Sequence, residues 1–519
     1  MKILVIRTHR LGDVLQLTPM LEGIGKTHPD AKITFLTSED LTDLLRGHPR
    51  VDEIVPFAEK RYRRLLKAGP EAQTAVRHEI YEIAERLQAE RFDMVINRQY
   101  EAGGILAHLC GAPETRGGSY APGRGHFFAD GPSAELFSAV RADRRRNRRN
   151  LADWSLRIAG APPGSGRMYL HVPPPDVREG DRLLASVRGA LPPVAVQLGA
   201  ARSFRCWGTD NFLGAIRHLA DSRGRPVVLL GSPDERELAE RILTGCGSLS
   251  GRIVDLVGRT SLKTLGAVLR RCEVLISGDT GTAHMAAAVG TPVIGLFFGT
   301  AYPWETAPYG TGNFVLFADL PCAPCLDPSS CRNGQGCRKA IRPEHVCRAW
   351  DIRESLSRGG GCAGRWDDRI VRLLVSRVDD GAEMTLNDFN AVGTDDPALL
   401  FPSRENRALR RTDGPAGDFR LLEENESRLR ESLCLHERSW EDAFAGYLEV
   451  WRQLLAPGGP VEGSSDGARI VMNALPQLFE QASSALSAGD PVALADLVRS
   501  GFRPLREALE NGIGRPSIP

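Results

Sequence analysis

The sequence predicts an α/β fold: two tandem units in which short strands alternate with helices, followed by a mostly helical C-terminal extension. Three observations carry this. Apolar, β-branched runs alternate with helical stretches over 2–97 and again over 194–298, the pattern of parallel sheets covered on both faces. Between the two series, 117–133, 160–175 and 189–193 are rich in Gly and Pro, as a boundary between units is. After GGGCAGR, which begins at Gly359, the strand alternation stops. The units are expected at 1–175 and 190–350, and the extension at 366–519.

In the first unit, Lys2–Arg7 (KILVIR) reads as a buried strand and a helix runs from Val14 to about Lys26. Ala31–Thr37 and Val51–Phe57 are further strands. Residues 71–90 carry Val76, Ile80, Ile83, Ala84 and Leu87 on one helical stripe, and Phe92–Asn97 is a fourth strand. In the second unit, strands are expected at Val194–Leu198, Pro226–Leu230, Ile253–Val257, Val274–Ser277 and Pro292–Phe298. Helices fall at Asp210–Arg223 with Asp210 as N-cap, from Asp234 onward, and at Ser261–Arg271 with Ser261 near its cap. Helical stretches in the extension are expected at 367–378, 419–434, 438–455 and 467–486.

The 519 residues are 42% hydrophobic and 25% charged, which excludes a largely disordered chain and a polytopic membrane protein. Lys and Arg total 66 against 65 Asp and Glu, so the net charge of +1 offers no global field for nucleic acid. Two basic clusters stand out, KRYRRLLK at 60–67 and RADRRRNRR at 141–149. Each reads either as a solvated face or as a landing site for an anionic substrate or a membrane surface. The apolar run before Arg7 is too short for a signal peptide, and no stretch of about 20 apolar residues exists. A cytoplasmic location is the default expectation.

Four strings carry chemistry. SGDTGTAHMAAAVGTP (277–292) follows a strand and opens a helix of small residues. The free amides at Thr280, Gly281 and Thr282, together with the helix dipole, suit phosphate oxygens. Gly281 permits close approach, and His284 lies in the first turn; Asp279 is either a ligand group or a helix cap. RTHRLGDVLQLTP (7–19) turns at Gly12 into Asp13, at the carboxyl edge of a strand where ligands of open α/β sheets bind. Asp13 reads as a helix cap or as a general base. LGAARSFRCW (198–207) places Arg202 and Arg205 at another strand end, either as surface arginines or as cations for a diphosphate. GSPDE (231–235) offers carboxylates that hold ribose hydroxyls or cap a helix through Asp234 and Glu235.

Taken in order, RTHRLGDVLQLTP, LGAARSFRCW, GSPDE and SGDTGTAHMAAAVGTPVIGLFFGT resemble glycosyltransferase family 9, whose best-known members are ADP-heptose:lipopolysaccharide heptosyltransferases. The resemblance covers about residues 1–350. It implies a GT-B architecture, two Rossmann-like domains facing across a cleft, and an inverting transfer of heptose from an ADP-sugar without a metal at the reaction centre. Carried over by position, Asp13 is the catalytic base. Gly12, Arg205, Glu235, Asp279, Thr280, Gly281, Thr282 and His284 line the donor side. Arg205 stands where the family commonly has a lysine, keeping the charge but not the compact ammonium. Implied partners are an ADP-sugar donor and an anionic glycolipid of the lipopolysaccharide inner core, met at the inner membrane face. The same fold acting on a protein or another glycan, or a non-catalytic binding protein, are the alternatives.

Five of the 11 cysteines fall at 322–347. Cys322, Cys325, Cys331 and Cys337 have spacing that suits a structural four-thiolate zinc or iron site; reduced buried thiols and disulfides are the other readings.

Overall fold

The computed structural model describes residues 1–391, except 100–101, 122–124, 142–143, 188–190, 201–202, 326–330, 332, 358–364 and 380. The helices expected at 419–434, 438–455 and 467–486 lie outside the described residues.

Two sheets form the frame. The first contains β1 (Lys2–Ile6), β2 (Lys32–Ser38), β3 (Glu53–Phe57), β4 (Met94–Asn97), β5 (Glu114–Ala121) and β6 (Gly125–Phe128), in the order β3-β2-β1-β4-β5-β6. It is parallel except at β5–β6. The second contains β7 (Val194–Gln197), β8 (Val227–Leu230), β9 (Ile253–Asp255), β10 (Val274–Gly278), β11 (Val293–Phe297), β12 (Phe314–Ala318), β13 (Val371–Arg377) and β14 (Thr385–Asp388). Its order is β14-β13-β12-β11-β10-β7-β8-β9, parallel through β12 and antiparallel beyond. Both sheets therefore wind outward from their first strand in two directions. The direction reverses between β1 and β4 and between β7 and β10, and at such a switch point the carboxyl ends of the strands part into a crevice.

The principal helices are α1 (Leu11–Leu15), α2 (Thr18–Thr27), α3 (Glu59–Leu65), α4 (Pro70–Ala89), α5 (Leu151–Ile158), α6 (Pro174–Leu183), α7 (Thr209–Arg217), α8 (Arg236–Cys246), α9 (Leu262–Arg271), α10 (Gly281–Ala288) and α11 (Pro343–Ser357). One apolar cluster runs from Ile3, Val5 and Met20 in the first lobe to Val268 and Met285 in the second. Two others cover the remaining faces, around Leu4, Leu36 and Val76 and around Phe212, Phe314 and Trp350. No helix among the described residues is long and apolar enough to cross a membrane.

The expected strands are all present, and several details differ. The single helix expected over Val14–Lys26 is two, because Pro19 opens a new helix within its first turn. The Gly-rich 117–133 is not only a boundary, since it includes most of β5 and all of β6. The N-cap of α7 is Gly208, with Asp210 in the first turn. A short 3-10 turn, Pro233–Glu235, precedes α8 and is closed by a capping box between Ser232 and Glu235, so Asp234 is not the cap. Ser261 does cap α9, its hydroxyl accepting from the Thr264 amide at 3.0 Å. The helix expected at 367–378 is strand β13. A short apolar run there fits either period, and its valines pair antiparallel with β12, burying Val371, Leu373, Leu374 and Val375. The second sheet thus reaches to Asp388.

Four arginines of the basic cluster, Arg144, Arg145, Arg148 and Arg149, are bound up within the fold. Arg144 Nε donates to both carboxylate oxygens of Glu305 at 3.1 and 3.2 Å, and that carboxylate side chain is 3% exposed. Arg145 reaches Asp319 and the carbonyls of Leu320 and Pro321. Arg148 lies over the Trp304 ring at 4.1 Å, and Arg149 pairs with Glu383 at 2.6 Å. These cations strap the end of the first unit to the second, a use that neither reading of the cluster, solvated face or landing site, anticipated.

Next to the strap, Asp153 on α5 is buried. It accepts from Tyr309 Oη at 2.7 Å and from the Met384 amide at 2.9 Å. Burial pushes its pKa from 3.8 up to about 6, outweighing both hydrogen bonds. Below about pH 4 the carboxyl is protonated folded or unfolded, and this group costs the fold nothing. Between pH 4 and 6 the unfolded chain ionises first, so stability is lost as pH rises. The unfolding free energy of Asp153→Asn relative to wild type is expected to climb over pH 4–6 and then level, with a span of up to about 3 kcal/mol. A difference that stays flat across that window contradicts the assignment.

Candidate active site

The loop after β1 delivers Asp13. Arg10 takes φ 65°, a left-handed turn uncommon outside glycine, and the chain swings into α1 with Asp13 in its first turn. The Arg7 guanidinium donates to Asp13 Oδ2 and, through Nη1, to the Arg98 carbonyl just past β4. Asp13 is thereby fixed at the switch point of the first sheet. Its side chain is 24% exposed, so a ligand can reach it. It caps nothing, since no side chain caps α1.

The loop after β10 delivers the other half. Thr280, in extended conformation, is the N-cap of α10, and Ala283 N donates to its carbonyl at 3.1 Å. No side chain caps the helix. The first-turn amides at Gly281 and Thr282 have no intrahelical acceptor, as the sequence pattern implied. Thr280 Oγ1 is tied to Ser277 Oγ at 2.9 Å. Asp279 is not the cap: its Oδ2 accepts from Arg205 Nη1 at 3.3 Å. Arg205 also donates to Thr300 Oγ1, from Nε at 2.9 Å and Nη2 at 2.6 Å. Arg202 lies outside the described residues.

The two halves touch. A Cβ on Gly12 would come within 2.7 Å of His284 Cδ2, and a Cβ on Gly281 within 2.7 Å of Leu11 Cδ2. The room expected at these glycines for a ligand is taken by the opposite lobe. His284 is 5% exposed, and its Nδ1 is buried with no partner in the protein. Burial holds its pKa below the usual histidine range, while the charges of Asp279 and Asp13 pull the other way. A single neutral imidazole thus sits between a carboxylate from each lobe.

Glu235 is engaged locally. Its Oε2 accepts from the amide and hydroxyl of Ser232, and the carboxyl group lies against Gly199 just past β7. Sequence reasoning missed three polar groups. Arg7 and Thr300 stand inside the quoted strings but were given no role. The His9–Glu59–Gln99 set is assembled from two loops and the start of α3, with Gln99 Nε2 2.7 Å from His9 Nδ1 and Glu59 Oε1 3.4 Å from it.

The described residues give no support to the four-thiolate expectation. Among the described residues, no three His, Cys, Asp or Glu side chains are arranged to hold a metal ion. The described cysteines are free thiols. Three sulfurs turn to separate donors: Cys322 to Asn333 Nδ2 at 3.1 Å, Cys331 to the Gln335 amide at 3.3 Å, and Cys337 to the Gly299 amide at 3.4 Å. Burial and the neighbouring thiols push Cys325 up to about 11.

Two Rossmann-like lobes whose switch-point loops meet at one cleft define a GT-B glycosyltransferase architecture. Residues 170–334 match glycosyltransferase family 9 (heptosyltransferase), and the chain is similar to heptosyltransferases of that family. It is 28% identical to lipopolysaccharide heptosyltransferase 1 of Pseudomonas aeruginosa over 337 residues, 63% of this chain and 86% of that protein. It is 26% identical to a lipopolysaccharide heptosyltransferase 3 of Escherichia coli over 305 residues, 57% of this chain and 84% of that one. The solved glycosyl transferase family 9 from Veillonella parvula shares the fold with a TM-score of 0.54 at 21% identity, covering 68% of this chain and 96% of that one.

The Leu11–Gly281 contact gives a test. Gly281→Ala is expected to destabilise by about 1–2 kcal/mol through overpacking, although alanine favours a helix. Leu11→Ala in the same chain should remove that cost. Equal penalties for Gly281→Ala in both backgrounds, measured by denaturant melts, would contradict the packing described.

Proposed function

We propose that the protein transfers a heptose from ADP-heptose, with inversion, to an acceptor sugar of the lipopolysaccharide inner core. The reaction is placed on the cytoplasmic side of the membrane. The observation that carries this reading is the contact of the Asp13-bearing helix with His284 of the other lobe, with Asp13 and Asp279 both within electrostatic reach of its buried imidazole. The first lobe, residues 1–175, takes the acceptor. The second, residues 190–350 and its strand extension, takes the donor.

In this reading the diphosphate rests on the amides of Gly281 and Thr282 at the N-terminus of α10, with Thr280 beside it. Glu235 faces the ribose, and Asp279 and His284 face the heptose. The acceptor oxygen attacks the anomeric carbon as the bond to the diphosphate oxygen breaks, and ADP departs with the electron pair. Asp13 takes the acceptor proton. Arg205 and the helix amides meet the charge growing on the diphosphate, which assigns no metal to the reaction centre. The Arg7 ion pair aims the Asp13 carboxylate without closing it off.

The anionic acceptor is met by α3 and the residues after it. The His9–Glu59 contact sets the start of this helix beside the Asp13 loop. Of its cations, Lys60, Arg61 and Arg63 pair with Asp40, Glu79 and Glu59. Exposed Arg64 and Lys67 show no ion pair among the described residues and are the ones free to take phosphate or carboxylate.

Asp13→Asn keeps the shape and is expected to cut transfer by roughly 10²–10⁴-fold while ADP affinity changes less than about threefold. The assay is mass analysis of truncated lipopolysaccharide cores incubated with a panel of nucleotide sugars that includes ADP-heptose. Turnover only on a protein or another glycan redirects the acceptor, and full turnover by Asp13→Asn removes the base. Arg64→Ala with Lys67→Ala should raise acceptor KM several-fold at low salt, an effect that shrinks as ionic strength rises. An unchanged KM at low salt counts against this surface.

A further inference from the structure

We infer that Thr300 is a positioning residue that aims Arg205 at the donor diphosphate, and that the cysteine-rich segment and the Arg144 strap exist in part to hold Thr300 in place. This rests on the donor site proposed above.

The chain leaves β11 and turns at Gly299, which takes φ 66°, a left-handed conformation that a β-branched residue would resist. The turn carries Thr300 toward the loop after β7. There its hydroxyl accepts both N–H groups along one edge of the Arg205 guanidinium, Nε at 2.9 Å and Nη2 at 2.6 Å. The remaining nitrogen, Nη1, is directed to Asp279 Oδ2 at 3.3 Å, at the mouth of α10. One edge of the fork is thus anchored, and the other faces the place assigned to the diphosphate. Arginine needs such an anchor more than a lysine does, because its charge acts only through a plane of fixed orientation.

The anchor is itself braced. Gly299 N donates to Cys337 Sγ at 3.4 Å, and Cys325 N donates to the Gly299 carbonyl at 2.8 Å. From the other side, Arg144 Nη2 donates to the Thr300 carbonyl at 3.2 Å, while its Nε is held by the buried Glu305 carboxylate. Thr300 therefore receives both the cysteine-rich segment and the strap that arrives from the first lobe, and passes their rigidity to Arg205.

The test uses the full chain with Thr300→Val, Thr300→Ser, Arg205→Met and the Arg205→Met/Thr300→Val double variant. Thr300→Val is expected to lower kcat by about 10- to 100-fold, less than or equal to the loss of a direct transition-state donor, with donor KM within about threefold. Thr300→Ser keeps the acceptor oxygen and should restore turnover. In the Arg205→Met background, Thr300→Val should cost nothing more. The preference for ADP over AMP, measured by calorimetry, should shrink in Thr300→Val as it does in Arg205→Met. Wild-type kinetics in Thr300→Val, or an undiminished loss from it in the Arg205→Met background, overturns the inference and leaves the donor site standing. If wild type binds ADP but transfers no heptose, the ADP-to-AMP comparison decides the inference alone. If wild type binds no ADP, the donor site and the inference fall together.

Discussion

Two missing side chains decide how close the lobes come. Gly12 leaves room for His284, and Gly281 leaves room for Leu11, so α1 and α10 meet with almost nothing between them. Each helix starts where its sheet changes direction. The contact therefore draws together the two places where the strand ends already open toward ligands. Any larger residue at either position must displace a neighbour in a close-packed interface. The distance between the groups of one lobe and those of the other is then a consequence of that packing, rather than of the loops that carry them.

Burial of His284 follows from the same contact and shapes the electrostatics of the cleft. The imidazole loses solvent because Gly12 lies against it, and desolvation keeps it neutral despite two carboxylates within electrostatic reach. With His284 neutral, the cations near Asp13 and Asp279 are Arg7 and Arg205, one for each carboxylate. Arg7 belongs to the first lobe and Arg205 to the second. The site is thus divided into two ion pairs with a neutral ring between them, which separates a group suited to proton removal from a group suited to a departing anion.

The frame was legible because buried parallel strands announce themselves. KILVIR, VVLL and PVIGLFF are continuous β-branched or aromatic runs, and the switch-point strings follow such runs directly. Where the signal was weaker the reading slipped. ETRGGSYA forms β5 although its glycines resemble a loop, and VRLLVSR pairs with β12 although its spacing also fits a helix. The candidate groups of 277–284 were readable because one short string holds them all. What gives them their setting was not: Arg205 and Thr300 are 95 residues apart, and Arg144 and Glu305 161. The cysteine spacing left its outcome open for a related reason: spacing reports how far apart sulfurs lie along the chain, and the described thiols are free, three of them accepting from separate amides.

The placement of positive charge shows how a chain of nearly zero net charge can still handle anions. Most of the arginines of 144–149 are spent on Glu305, Asp319, Glu383 and the Trp304 ring, inside the contact between lobes. A buried pair such as Arg144–Glu305 contributes little net stability over an apolar packing, but breaking it strands a charge, so it selects one arrangement of its surroundings. That arrangement includes the Gly299–Thr300 turn and, through it, the donor-side guanidinium. The cations of α3 follow the opposite course, since several remain at the surface beside the Asp13 loop. Charge of one sign thus serves two purposes here. Where it is buried and paired it sets geometry, and where it is exposed it stays open to the anionic acceptor proposed above.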